Sequence, residues 1–219
     1  MRKKEWFVLI ACIFCIACSA LFSFGEECSF IRENTLRLHI LANSDSPADQ
    51  ALKLKIRDAV LSCSGELFSG CDTRQKMISA AQEQLPKIQQ VAEQTALHNG
   101  YELPVTVSVT DMFFETRRYD HVILPAGTYT AVRIELGAAA GKNWWCVVFP
   151  PICVPAAAEH KDLSDVLDED QVDIVTQPQK YEVKFKIVEW WEGLSHRLGE
   201  WFGGGEASSE PASSDAEEA

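Results

Sequence analysis

The sequence predicts an α+β domain: a mostly antiparallel sheet with two or three helices on one face, then an acidic linker and a C-terminal amphipathic helix. Three observations carry this. Apolar residues alternate with period two over residues 36–42, take a helical period over residues 47–99, and return to period two over residues 103–149. Runs of strand pattern on either side of a helical block point to segregated layers rather than to alternating β-α-β units.

The chain begins with Arg2, Lys3 and Lys4 and then an uncharged apolar run over residues 6–24. Charge followed by apolar length is the order that export machinery inserts with the cationic end left inside. At 19 residues the run lies between a signal-peptide core and a membrane span. Residues 1–25 therefore read as a signal peptide or an N-terminal membrane anchor. Ser23 and Gly25 would permit cleavage before Glu26, and a lipid on Cys18 is a third route to the membrane.

In the following domain, set at residues 33–155, Leu36, Leu38, Ile40 and Ala42 alternate with Arg37, His39 and Leu41 as a first strand. Ser46 then stands at a helix N-cap, Pro47 at the first helical position and Asp49 where a carboxylate meets the positive end of the helix dipole. Leu52, Ile56, Ala59, Val60 and Cys63 mark the buried face of this helix, with Lys53, Lys55, Arg57 and Asp58 mostly on the other side. A second helical region starts after Asp72 or Thr73 and stops at Gly100. Pro86 predicts a kink or break near Leu85, because proline lacks the amide donor and collides with the preceding turn.

Val105, Val107 and Val109 open the second strand region, and residues 121–124 form another short apolar stretch. The Pro125-Ala126-Gly127-Thr128 turn signal joins it to a strand over residues 129–136, so the pair reads as a hairpin. A Gly/Ala-rich loop leads to a last strand over residues 144–149, ended by Pro150 and Pro151. Residues 156–180 read as an acidic linker, 181–202 as an amphipathic helix and 203–219 as a disordered tail.

The formal charge is −12, and from Ala156 onward 16 acidic residues face 5 basic ones, so the domain itself is nearly neutral. It offers no basic stripe for a phosphate backbone, and nucleic acid is not an expected partner. Cys63 and Cys71 flank a short Ser/Gly-bearing loop, and Cys146 and Cys153 a segment that Pro150 and Pro151 can turn back, so both pairs are candidate disulfides in an oxidising space, leaving Cys28 over. No CxxC with matching histidines stands in the exported part, so neither a structural metal nor a cofactor is expected.

Candidate catalytic groups have plainer readings. Asp45 and Asp49 sit where a helix start attracts carboxylates, which accounts for them better than paired acid and base. His39 with Ser44 or Ser46 lacks the Gly-x-Ser-x-Gly turn that would mark a nucleophile, and no catalytic residue is expected. Trp144 and Trp145 are adjacent, so on a strand they point to opposite faces, and an outward tryptophan suits a binding hot spot. The candidate partner-binding residues are Asn43 and Asp45 in the 43–49 connection, Arg57 on the helix after it, and Trp144 and Trp145. The residues 183–202 helix suits docking on the domain or on a partner helix better than anionic lipid, since its polar side is acidic.

Three stretches resemble one family. Residues 36–60 (LRLHILANSDSPADQALKLKIRDAV), 122–136 (VILPAGTYTAVRIEL) and 143–153 (NWWCVVFPPIC) together are similar to the stage II sporulation protein R family of endospore-forming bacteria. The resemblance covers residues 35–155, with a weaker likeness in YEVKFKIVEWW. It implies a signalling role: a protein made in the forespore, exported into the space between forespore and mother cell, which triggers a membrane-embedded aspartic protease that processes the pro-form of sigma E. The competing class is a secreted cell-envelope hydrolase, which requires a catalytic pair in a pocket.

Overall fold

The computed structural model describes residues 3–68, 71, 73–119, 122–150 and 163–202. Cys153, Pro151, the first part of the acidic stretch and residues 203–219 lie outside the described residues. In chain order the elements are α1 (Lys3–Glu33), β1 (Leu36–Leu41), α2 (Pro47–Ser62), α3 (Ser64–Leu67), α4 (Arg74–Glu83), α5 (Leu85–His98) and β2 (Val105–Phe114). There follow β3 (Arg117–Tyr119), β4 (Val122–Leu124), β5 (Gly127–Leu136), β6 (Asn143–Phe149), α6 (Glu169–Thr176) and α7 (Pro178–Phe202). The class is α+β. The chain divides into two compact units, one of Met1–Arg32, Phe114–Gly127 and Asp170–Ala219, the other of Glu33–Phe113 and Thr128–Glu169.

The second of these holds a four-stranded sheet in the order β2-β5-β1-β6. β1 runs antiparallel to β6 and parallel to β5, with Leu36 opposite Thr130 and Leu41 opposite Glu135. Leu36, Leu38 and Ile40 of β1, Val132, Ile134 and Leu136 of β5, and Cys146 and Val148 of β6 share one core with the helices. From that side come Leu52, Ile56 and Val60 of α2, Ile78 and Ala81 of α4, and Ile88, Ala92 and Ala96 of α5. All six residues of β1 are buried, since the strand lies between two others. Its period-two pattern therefore does not mean a solvated face, and Arg37 and His39 are buried with the rest.

The expected hairpin over residues 121–136 is not formed. β4 pairs with β3, Val122 opposite Tyr119 and Leu124 opposite Arg117. Both edges of β5 are taken by β2 and β1, which leaves no edge for β4. The turn signal is real, but it passes the chain from one sheet to the other.

The helix signals are met locally. Ser46 caps α2, its hydroxyl accepting the Asp49 amide at 3.1 Å, with Pro47 in the first turn. Thr73 caps α4 by accepting the Lys76 amide at 3.3 Å. The break falls at Gln84, and Pro86 sits in the first turn of α5, where its missing donor costs nothing. Gly100, at φ +82°, ends the helical region. The segment from Cys63 to Cys71 is not the simple loop expected. Cys63 closes α2 and the chain coils at once into α3, while the Cys71 sulfur reaches the Lys76 carbonyl at 3.7 Å. No disulfide joins Cys63 to Cys71 in this structure. Cys146 is buried on the sheet, and its expected partner Cys153 is outside the described residues.

The other unit is built on α1. Its apolar run is exposed, with Phe7, Phe14 and Ile16 facing solvent, and its composition and length suit a signal peptide or a membrane anchor. The helix does not stop at the expected cleavage point. It continues to Glu33, and its last turns bury Phe24, Cys28 and Ile31. Phe24 stacks on Tyr181 at 5.6 Å and meets Phe185 edge-on at 5.3 Å, and Arg32 pairs with Glu192 at 2.9 Å. Part of the stretch expected as linker is ordered: α6 buries Gln171, Ile174 and Val175, and Gln171 donates to Glu27 at 2.9 Å.

Candidate functional site

The motif residues meet at one corner of the sheet unit, where the turn from β1 into α2 lies against the loop from β5 to β6. Backbone bonds join them first: Gly141 N–H donates to Ala42 C=O at 3.0 Å and Ala140 N–H to Asn43 C=O at 3.3 Å. Side chains complete the seam. Asn43 Oδ1 accepts the Ala138 amide at 2.9 Å, and Asp45 Oδ1 accepts the Lys142 amide at 2.7 Å. Asn43 Nδ2 donates to Asp49 at 3.0 Å, the Ser44 hydroxyl donates to the same carboxylate oxygen, and Gln50 Nε2 donates to Ser44 C=O at 2.9 Å. Those donors, from Ser44 first and Asn43 next, hold the Asp49 carboxyl below its ordinary value against the opposing effect of burial.

Two glycines make the close approach possible. Gly137 has φ +60°, and a Cβ there would stand 2.2 Å from Asn43 Oδ1. A Cβ on Gly141 would fall 2.3 Å from the Ser44 carbonyl oxygen, which is backbone and has nowhere to go. Lys53, expected on the polar side of α2, is only 4% exposed. Its ammonium donates to Gln50 Oε1 at 2.6 Å, Lys142 C=O at 3.1 Å and Asn143 C=O at 3.4 Å, so the buried charge has three acceptors.

β6, at the edge of the sheet, displays the two tryptophans on opposite faces, as the pleat requires. Trp144 is half-buried on the helix side and packs against the core, with the Arg57 guanidinium 4.3 Å over its ring. Trp145 is half-buried on the far side, opposite His39 in the ladder, and the two rings stack at 3.9 Å with planes 1° apart. His39 Nε2 meets Asn143 Oδ1 at 2.8 Å; an amide oxygen only accepts, so Nε2 carries the proton. Burial first, with the charges of Arg133 and Arg37 adding to it against the Asn143 bond, pushes the imidazole down to about 4. At neutral pH it is an uncharged platform for Trp145.

The structure thus brings the five candidate residues into two roles. Asn43 and Asp45 lock the corner, although Asp45 is exposed. Arg57, Trp144 and Trp145 form aromatic and cationic surface on either side of the β6 edge. The hydroxyls of Ser44 and Ser46 and the Asp49 carboxylate serve the start of α2. Sequence reasoning missed Lys53, Asn143 and the two glycines; the glycines of the Ala-rich loop carried a signal, because such residues recur where backbones touch.

Comparison with known proteins places this corner inside a recognised region. The family model described as stage II sporulation protein R matches residues 32–159. The stage II sporulation protein R of Bacillus subtilis (strain 168) is 33% identical over 185 residues, covering 75% of this chain and 83% of that protein. No solved structure matches.

Proposed function

Because the chain belongs to the stage II sporulation protein R family, we propose that it is an exported signal of endospore formation that switches on a membrane-embedded aspartic protease acting on pro-sigma E. The match over residues 32–159 carries this reading, since it spans the whole seam between the β1-α2 turn and the β5-β6 loop. Export is supported by the cationic start and the exposed apolar run of α1. Recognition is assigned to the β6 edge: a rigid corner displays Trp145 on a neutral histidine and Arg57 on Trp144, the aromatic and arginine chemistry that dominates interface energies.

Co-expression in a non-sporulating host tests it. The full chain, the protease and pro-sigma E are expected to yield the shortened sigma factor, and omission of this chain is expected to leave the precursor intact. Processing at the same rate without this chain refutes the reading. Within that assay Trp145→Ala is expected to reduce processing at least tenfold at equal export, the effect of losing one hot spot of about 2 kcal/mol.

A further inference from the structure

α7 carries two apolar faces. Phe185 and Val188 are buried on the side that meets α1. On the opposite side Val183, Ile187, Trp190, Trp191, Leu194, Leu198 and Trp201 are exposed, Trp190 by 67% and Trp201 by 77%. At 100° per residue these seven fall within about a 100° sector. Together they expose on the order of 800 Å², the share of one partner in a stable interface. The steps between Val183, Ile187, Trp190 and Leu194 are four, three and four residues, the spacing of a seam between two helices.

The contacts of α7 with α1 argue against a bilayer as the cover. Phe24, at the end of the apolar run, meets Tyr181 and Phe185, whereas Arg32 meets Glu192, so the two helices run the same way. α7 therefore leads away from the apolar run, and Trp201 lies about 25 Å farther along than Phe185. A membrane that held the run would not reach it.

We propose that the exposed face of α7 is the interface of a two-fold symmetric dimer, in which the α7 helices of two copies pack antiparallel. The charges favour this occupant. Residues 180–186 carry three lysines and one glutamate, and residues 189–200 carry three glutamates and one arginine, so the two halves of the helix differ in sign, although within one copy Lys180 meets Asp173, Lys186 meets Glu189 and Glu192 meets Arg32. The register that sets Val183 opposite Trp201 and Trp190 opposite Leu194 also sets position 186, a lysine, opposite position 200, a glutamate, twice by symmetry. Gly193 then meets its own counterpart at the crossing. A Cβ added at Gly193 finds nothing within 4 Å, so nothing inside the chain requires a glycine there, although a mid-helix glycine is unfavourable. α7 lies beyond residues 32–159, so this surface is separate from the region that defines the family.

The test uses the full chain in nonionic detergent micelles, with protein mass read by sedimentation. The expected result is a dimer that Leu194→Glu converts to monomer with unchanged helix content. Lys186→Glu and Glu200→Lys are each expected to weaken dimerisation about tenfold, and the double variant to restore it. A photo-crosslinking amino acid at position 183 is expected to label the region around Trp201 of the second copy. A monomer throughout, a dimer indifferent to Leu194→Glu, a crosslink from 183 to 183, or a monomer whose tryptophan emission shifts on added lipid vesicles would each overturn the proposal.

Discussion

His39 is 2% exposed and lies flat on Trp145, so its protonation must be opposed by the fold. With a native value of about 4 against an ordinary 6.5, the unfolded chain binds the proton first as pH falls. Stability is therefore complete above pH 6.5 and declines between 6.5 and 4, by about 3 kcal/mol in all. Urea unfolding of the full chain in detergent at pH 7 and pH 4.5 is expected to show this decline, and His39→Gln to flatten it. The two tryptophans separate by the face on which they stand. Trp144→Ala is expected to lower stability by about 3 kcal/mol through lost core packing, while Trp145→Ala is read mainly in protease activation. If both variants signal at wild-type rates, the aromatic pair is packing alone.

At the scale of elements, the corner is held by caps and glycines rather than by bulk. Ser46→Ala removes the acceptor for the Asp49 amide and is expected to cost about 1 kcal/mol in urea unfolding. Gly141→Ala is expected to cost more, because its methyl group would occupy the place of the Ser44 carbonyl oxygen. Both starts were readable from sequence, since a cap and its helix are neighbours in the chain: Ser46 with Pro47 and Asp49, and Thr73 with Arg74 onward. The break at Gln84 was readable for the same reason, as Pro86 acts on the turn just before it. The seam was not. Asn43 and Ala138 are 95 residues apart, and no local pattern tells which loop an asparagine will hold.

For the molecule as a whole, the helix α1 ties the fate of the leader to the C-terminal helix. Cleavage before Glu26 would take Phe24 away from Tyr181 and Phe185. A chain starting at Glu26 is accordingly expected to lose protection of α7 in limited proteolysis relative to the full chain, with the sheet unit equally resistant in both. Equal protection would show that the aromatic contact is dispensable. The acidic excess follows the same division: it falls after residue 155, so it acts on solubility and on α7 without charging the sheet unit.

The sequence by itself determined the α+β class, the family, the apolar leader pattern, the starts of α2 and α4 and the break before α5. Each of these rests on residue type, on period or on neighbours within a few positions. Only the tertiary structure decided that β5 runs beside β1 in parallel, that β4 turns to β3, and that Lys53 is buried. Those outcomes depend on which strand edges are already occupied and which backbones come within reach. That competition is settled among segments tens of residues apart, where local propensity has no say.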